Sequence, residues 1–165
     1  MRLSPIPDMS LKTIYALKPE MLLERGISLL LLDLDNTLIP YTQSLPPEQV
    51  SDWMSAFKAK DIELFLVSNN RTDRAEIFSS AAGIPYINRA QKPSGKKVLE
   101  AMEIMGRTPR ETAMIGDQVY TDILAANSSG VFSIVVRPLD IHKPQFAARY
   151  FFELPFRALC REKIK

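Results

Sequence analysis

Leu29-Leu30-Leu31-Leu32-Asp33-Leu34-Asp35-Asn36-Thr37-Leu38 sets four leucines against two carboxylates spaced one residue apart. A run of leucines has no polar face, so it reads as a strand buried on both sides, as at the centre of a parallel sheet. Desolvating an unpaired carboxylate costs several kcal/mol or forces it to take up a proton. At the carboxyl end of a central strand, Asp33 and Asp35 would instead open into the crevice where open α/β sheets bind ligands. That placement calls for a cation. A plain turn closing a strand would account for the acids alone, but not for so apolar a run feeding an Asp-x-Asp-x-Thr.

Working outward, residues 1–27 read as a docking segment of short helices, with Pro19-Glu20 at a helix start and Gly26 as its stop. Residues 42–47 form a loop and 48–60 an amphipathic helix with Val50, Trp53, Met54 and Phe57 on one side. Residues 62–67 are a second strand ending in Ser68-Asn69-Asn70, and 73–82 a helix stopped by Gly83. A short strand at 85–87 and a helix over 94–105 follow. The fourth strand, 112–116, ends in Asp117; a helix over 122–128 and a fifth strand over 131–136 complete the pattern. This alternation predicts right-handed crossovers and a doubly wound, Rossmann-like parallel sheet in three layers. The expected strand order is 3-2-1-4-5, counting from the leucine strand as the first, in one domain with a core over 28–136 and a C-terminal segment over 137–165.

Four of these strand ends or following loops carry polar groups: Asp33, Asp35 and Thr37; Ser68 and Asn69; Lys92; Asp117 and Asp122. In a parallel sheet all carboxyl ends lie on one edge, so these residues converge on one crevice. Acids, a lysine and small hydroxyls suit a divalent metal holding a phosphoryl group, and Mg²⁺ takes only one or two carboxylates with water and phosphate completing its shell. Each residue also has a plainer use. Ser68 and Asn69 could cap a helix, Lys92 could be solvated as Lys96 and Lys97 are expected to be, and Asp117 and Asp122 flank a helix start that favours acids. His142 reads as a surface residue and Cys160 as a small hydrophobe.

Asp33-Leu34-Asp35-Asn36-Thr37, Ser68, Lys92-Pro93 and Gly116-Asp117-Gln118-Val119-Tyr120-Thr121-Asp122 resemble, in order and spacing, the four motifs of the haloacid dehalogenase (HAD) superfamily. Within it the chain is similar to the YqeG-like phosphatases of subfamily IIIA, a group related to mitochondrial phosphatidylglycerophosphatases. The resemblance implies a Mg²⁺-dependent phosphate monoester hydrolase. Asp33 would be the nucleophile that forms an aspartyl-phosphate, and Asp35 the acid and base. The metal would be held by Asp33, the Asp35 backbone carbonyl and Asp117. Lys92, Ser68 and backbone N–H groups around Asn36 and Asn69 would contact the phosphoryl oxygens. Asp122 would orient a metal-bound water or Lys92, and Thr37 would brace the loop.

HAD enzymes usually carry an inserted cap domain, but the stretches from Asp35 to Ser68 and from Ser68 to Lys92 hold only single helices and strands. An open site without a cap is expected, admitting a substrate whose bulk stays outside. Residues 155–165 read as a basic helix with Phe156, Leu159, Cys160 and Ile164 on one face, able either to pack on the domain or to lie on an anionic membrane. By resemblance phosphatidylglycerophosphate leads the substrates, ahead of a soluble sugar, nucleotide or protein phosphate. A phosphoacceptor signalling domain or an idle scaffold is the rival from another class; the acid two residues after the nucleophile favours the hydrolase.

Composition bounds the rest. The chain has 165 residues, 46% hydrophobic and 24% charged, which suits one folded domain. A net charge of +2 gives no electrostatic case for nucleic acid. A single cysteine excludes an intramolecular disulfide and points to a reducing, cytoplasmic setting. Pro5, Pro7, Asp8 and Lys12 interrupt any signal-peptide core, and no apolar segment approaches the ~20 residues that span a bilayer. Nothing in the sequence selects an oligomeric state.

Overall fold

In the computed structural model, which describes residues 3–160 and 162–163, the leucine run is the middle of a parallel sheet. The strands are β1 (Met9–Leu11), β2 (Leu29–Leu32), β3 (Glu63–Val67), β4 (Tyr86–Ile87), β5 (Thr112–Gly116), β6 (Phe132–Val136) and β7 (Glu162–Lys163). Their order is β4-β3-β2-β5-β6-β1-β7, and every pairing is parallel. The five expected strands stand in the expected order, with two more added beyond β6.

The helices are α1 (Pro19–Leu23), α2 (Glu48–Lys58), α3 (Arg74–Ala82), α4 (Lys96–Met105), α5 (Leu124–Ser129) and α6 (Pro144–Ala158). Successive side chains of a strand point to opposite faces, so the leucines divide between two cores. Leu30 and Leu32 pack with Trp53, Met54 and Phe57 of α2, Phe78 of α3, and Met9 and Leu11 of β1. Leu29 and Leu31 pack with Val98, Ala101 and Met102 of α4 and Ala125 and Ala126 of α5. All four leucines are fully buried, each contributing about 1.5–3 kcal/mol of hydrophobic stabilisation. That is the physical content of the apolar run: a strand covered on both sides cannot afford one polar position.

Three expectations need correction. The N-terminal segment is not only helical, because Met9–Leu11 joins the sheet beside β6. Three residues with a serine at the centre carry too little periodicity to announce a strand. The C-terminal helix is Pro144–Ala158, not 155–165. Proline favours a helix start, but that place is taken by Pro144, and Pro155 sits inside the helix near its end. After it Glu162–Lys163 pairs with β1, whose edge could not be anticipated without β1 itself; Arg161, Ile164 and Lys165, assigned to the expected helix, lie outside the described residues. Lastly, Val119–Ile123 is one π-helical turn ahead of α5, where an ordinary helix start was expected. Among the described residues no helix is long and apolar enough to cross a membrane.

Candidate active site

β2 ends at Leu32, and the next residue, Asp33, is still held to the sheet by its N–H, which donates to Ile115 O at 3.0 Å. Asp33 is thus fixed at the carboxyl edge with its side chain almost wholly buried. Its Oδ1 accepts from Lys92 Nζ at 2.6 Å and its Oδ2 from Thr37 Oγ1 at 2.8 Å. Thr37 Oγ1 also lies 3.4 Å from Asp117 Oδ1, tying the first and last motifs together. Lys92 is equally buried and also donates to Val67 O at 2.8 Å and lies 2.7 Å from Asp122 Oδ1. Asp122 Oδ2 accepts from Gln118 N–H at 3.0 Å, so the π-helical turn presents this carboxylate to the lysine. The approach requires Gly116: a Cβ there would stand 2.4 Å from Asp122 Cγ.

Ligand oxygens of Asp33, Asp117 and Asp122 all lie within 4.8 Å of one another. Three buried carboxylates therefore share a single ammonium, which leaves a surplus of negative charge. Burial first, then the Asp122 charge, pushes Asp33 up to about 7 against the opposing pull of Lys92. Burial, Asp122 and Asp33 hold Asp117 well above the ordinary carboxylate range. Burial works against the Lys92 ammonium, but Asp122 and Asp33 more than offset it and raise its pKa. A cluster of hard oxygen donors short of positive charge fits a divalent cation.

Asp35 stands at the mouth, half-buried. Its Oδ1 pairs with Arg74 Nη1, and its Oδ2 accepts from Asn70 Nδ2 at 2.7 Å. Arg74 continues to Pro40 O at 3.0 Å and, through Nε, to Gln43 O at 2.9 Å, so one guanidinium fixes both the acid and the loop beyond it. Asp33, Asp35, Tyr41, Asn69, Asn70, Lys92, Gln118, Thr121 and Asp122 line a crevice of about 200 Å³.

Two asparagines hold the surrounding loops in place. Asn36 has a left-handed backbone (φ 68°), and its amide exchanges two 2.7 Å hydrogen bonds with the backbone of Asp140. Asn69 does the same with Lys92, donating to its carbonyl at 3.1 Å and accepting from its N–H at 2.8 Å. The side chains of both residues are therefore engaged with backbone. Ser68 is fully buried, and its Oγ accepts from Asn70 N–H at 3.1 Å. His142 is 92% exposed, and Cys160 is buried.

Sequence reasoning missed Tyr41 and Arg74. Tyr41 stacks on Phe146 of α6 with centroids 5.1 Å apart. Burial, then Asp117, Asp35 and Asp33, pushes its phenol up to about 12. A cation at a helix start opposes the helix dipole, which is a signal for Arg74. Lys96 and Lys97 of α4 carry the same signal away from the crevice, so it could not select.

The C-terminal segment is part of this site. Arg157 donates from Nη1 to Val136 O at 2.9 Å and from Nη2 to Asp117 O, and pairs with Glu153 at 2.7 Å. Glu153 Oε1 in turn accepts from Val119 N–H at 2.9 Å. Helix α6 is thereby bolted to the loop that carries Asp117.

Comparison with known proteins agrees with this geometry. The family model for a haloacid dehalogenase-like hydrolase matches residues 9–130. Probable phosphatase YqeG of Bacillus subtilis (strain 168) is 36% identical over 134 residues, 81% of this chain and 78% of that protein. Phosphatidylglycerophosphate phosphatase 1, chloroplastic/mitochondrial, of Arabidopsis thaliana is 29% identical over 166 residues; the match takes in 94% of this chain but 47% of that protein. The fold also resembles 3-deoxy-D-manno-octulosonate 8-phosphate phosphatase from Moraxella catarrhalis, solved with magnesium, phosphate and its sugar, with a TM-score of 0.58 at 16% identity, covering 88% of this chain and 82% of that one. The chain belongs to the haloacid dehalogenase-like hydrolases and is one of their phosphatases.

Proposed function

We propose that this protein is a Mg²⁺-dependent phosphate monoester hydrolase working through an aspartyl-phosphate on Asp33, with a lipid headgroup monoester such as phosphatidylglycerophosphate as its substrate. The observation that carries the catalytic reading is the Asp33–Lys92–Asp122–Asp117 cluster, three buried acids around one ammonium at the carboxyl edge of the sheet. Asp33 and Asp117, with the Asp35 backbone carbonyl, would hold the cation. Bound there, Mg²⁺ supplies charge neutralisation for the phosphoryl oxygens and keeps the Asp33 carboxylate ionised.

Asp33 attacks phosphorus in line, displacing the alcohol, and the acyl phosphate is then cleaved by water. Asp35 gives a proton to the departing oxygen in the first displacement and takes one from water in the second. Arg74 and Asn70, each on one of its oxygens, hold it for both. Lys92 neutralises the transferring group and is itself kept in place by Asp122 and Val67 O. Asn36 and Asn69 serve by fixing the loops that frame the phosphoryl group, the Asn36 N–H itself donating to Ile39 O at 2.8 Å, and Ser68 holds the turn through Asn70. No cap domain is inserted between the motifs, so the alcohol part of the substrate stays outside.

The lipid assignment has two supports, relatives such as the Arabidopsis phosphatase and the outer face of α6. This helix is inside out. Glu153 and Arg157 are 1% and 8% exposed, while Phe151 and Phe152 are 68% and 66% exposed, with Leu154 and Leu159 beside them. Glu153 is the only acid of α6, so the charges left near solvent, Lys143 and Arg149, are both cations. An apolar face edged by cations suits an anionic lipid surface. The Tyr41–Phe146 stack would bring the crevice to that surface with it.

A phosphate-release screen with Mg²⁺ across lipid, sugar, nucleotide and phosphopeptide monoesters tests the reading. The lipid monoester is expected to turn over fastest. A soluble phosphate preferred over it overturns the lipid assignment, and no release from any class overturns the hydrolase.

A further inference from the structure

Beside the catalytic crevice lies a larger cavity, about 720 Å³, lined by Asn69, Arg71, Arg89, Gln91 and Lys92. It shares Asn69 and Lys92 with the crevice, so the two spaces meet across one lysine and one asparagine. The lining holds cations and amides and no acid.

The arginines are brought there by main-chain bonds. Arg89 N–H donates to Asn70 O at 3.1 Å and Ala90 N–H to Ser68 O at 2.9 Å, and Asn69 clamps Lys92 from both sides. Residues 68–70 and 89–92 are therefore laced together, with Arg71 one residue past the first segment and Arg89 at the start of the second. Arg89 and Gln91 are both left-handed, at φ 48° and 56°, a conformation disfavoured in a residue with a Cβ. The loop adopts it twice in three residues.

Elsewhere in the described chain Arg25, Arg74, Arg107 and Arg157 hold carboxylates, and Arg137 and Arg149 lie over aromatic rings. Arg110, in the turn before β5, is exposed without such a partner but lines neither the crevice nor the cavity beside it. Arg71 and Arg89 have no such partner among the described residues, and both are exposed. Two guanidinium forks with free donors on an acid-free wall match the geometry of phosphate oxygens.

We propose that Arg71 and Arg89 form a second-anion subsite, resting on the phosphatase reading of the neighbouring crevice. The substrate class is then a phosphate monoester that carries a second phosphate a few bonds from the first, either a phosphodiester in a lipid headgroup or a free monoester in a soluble bisphosphate. Binding energy gained on the remote phosphate holds the reacting one against Asp33, so it appears in kcat/KM for the doubly phosphorylated substrate.

The test compares glycerol 3-phosphate, glycerol 1,3-bisphosphate and dihexanoyl phosphatidylglycerophosphate, with wild type, Arg71→Ala/Arg89→Ala and Arg71→Lys/Arg89→Lys. Wild type should prefer the bisphosphate over glycerol 3-phosphate at least tenfold in kcat/KM. The alanine pair should lower that ratio at least tenfold, and the lysine pair should keep most of it. A preference confined to the lipid identifies the headgroup phosphodiester as the natural second anion; one shared by both shows that a bare bisphosphate suffices. Calorimetric binding of glycerol 1,3-bisphosphate to Asp33→Asn, with and without the alanine pair, reads the subsite without turnover and should show at least a tenfold loss. Equal binding in the two backgrounds, or equal kinetic losses on all three substrates, overturns the subsite. Absence of turnover with arginine-dependent binding intact overturns the phosphatase reading instead.

Discussion

Among the described residues two groups of charges are buried, and they are built on opposite plans. Around Asp33 three carboxylates share one ammonium, and burial first, then the neighbouring negative charge, raises the proton affinities of Asp33 and Asp117. Beneath α6, Glu153 meets Arg157 one to one, and the remaining donors of the guanidinium go to Val136 O and Asp117 O. Burying a charge is costly in either place. In the second group every partner is supplied by the chain, so the pair does structural work. In the first the chain leaves the sum unfinished, and a ligand must complete it. Imbalance, more than burial, separates a site from a brace.

The largest expected effect breaks the unbalanced group. Asp33→Asn keeps the shape and removes the nucleophile, so turnover should fall on the order of 10⁴-fold or more. Because it also removes one of three crowded acids, the metal-free variant should melt no lower than metal-free wild type. Retained hydrolysis would sink the covalent mechanism, and a large drop in the metal-free melting temperature would mean that the acids are balanced after all.

Arg157→Met should do the reverse. It strands Glu153 in a buried position and strips donors from two strand-end carbonyls, a change costing about 3–5 kcal/mol in comparable pairs. Urea denaturation reads the loss directly. The double change Glu153→Leu/Arg157→Met should recover part of it, since no charge is then left unpaired. If the single variant unfolds at the wild-type midpoint, α6 is held by its apolar contacts and the pair is incidental.

That contrast also explains what was legible in the sequence. β2 and its acids could be read because a strand covered on both faces leaves an unbroken apolar run, and five strands followed from the same periodicity. The convergence of Asp33, Lys92, Asp117 and Asp122 was legible from topology, since parallel strands end on one edge. What escaped depended on partners far along the chain. Met9–Leu11 is a strand only because β6 offers it an edge, and Glu162–Lys163 only because β1 does. Arg74 reaches the crevice through Asp35, thirty-nine positions away, and Tyr41 is fixed by Phe146. The motifs mark Asn36 and Asn69 as neighbours of the site, but that their amides close the loops depends on Asp140 and Lys92, far along the chain. Residue type told what each could do; only the fold told what was left free to do it.

Metal addition sharpens the comparison next. A ligand that binds only the folded state at one hundred times its Kd stabilises it by about 2.7 kcal/mol. Mg²⁺ should raise the thermal midpoint of wild type accordingly, a chelator should reverse it, and Asp117→Asn should blunt it. Ca²⁺ should restore part of the stability and little of the activity, because its longer and looser coordination misplaces the carboxylate for in-line attack. A wild-type midpoint indifferent to Mg²⁺ would show that the three acids and Lys92 complete their own charge balance.

The smallest expected effect concerns the face of α6 turned away from the brace. If Glu153 and Arg157 are buried to free that face for lipid, the apolar side chains outside it should bind anionic bilayers. A truncation within α6 is the wrong probe, since it would remove Arg157 and loosen the Asp117 loop with it. Phe151→Ser/Phe152→Ser leaves the brace intact and alters only exposed positions, where substitutions shift stability little. Co-sedimentation with phosphatidylglycerol vesicles should show wild type binding reversibly, about tenfold more strongly than this variant. Cations near an anionic leaflet contribute on the order of 1 kcal/mol each, screened within a Debye length, so high salt should remove the part owed to Lys143 and Arg149. The remainder should persist, because apolar burial is not screened. Wild type and variant sedimenting alike would leave the exposed phenylalanines without a lipid partner, and the lipid substrate would then rest on sequence relatives such as the Arabidopsis protein.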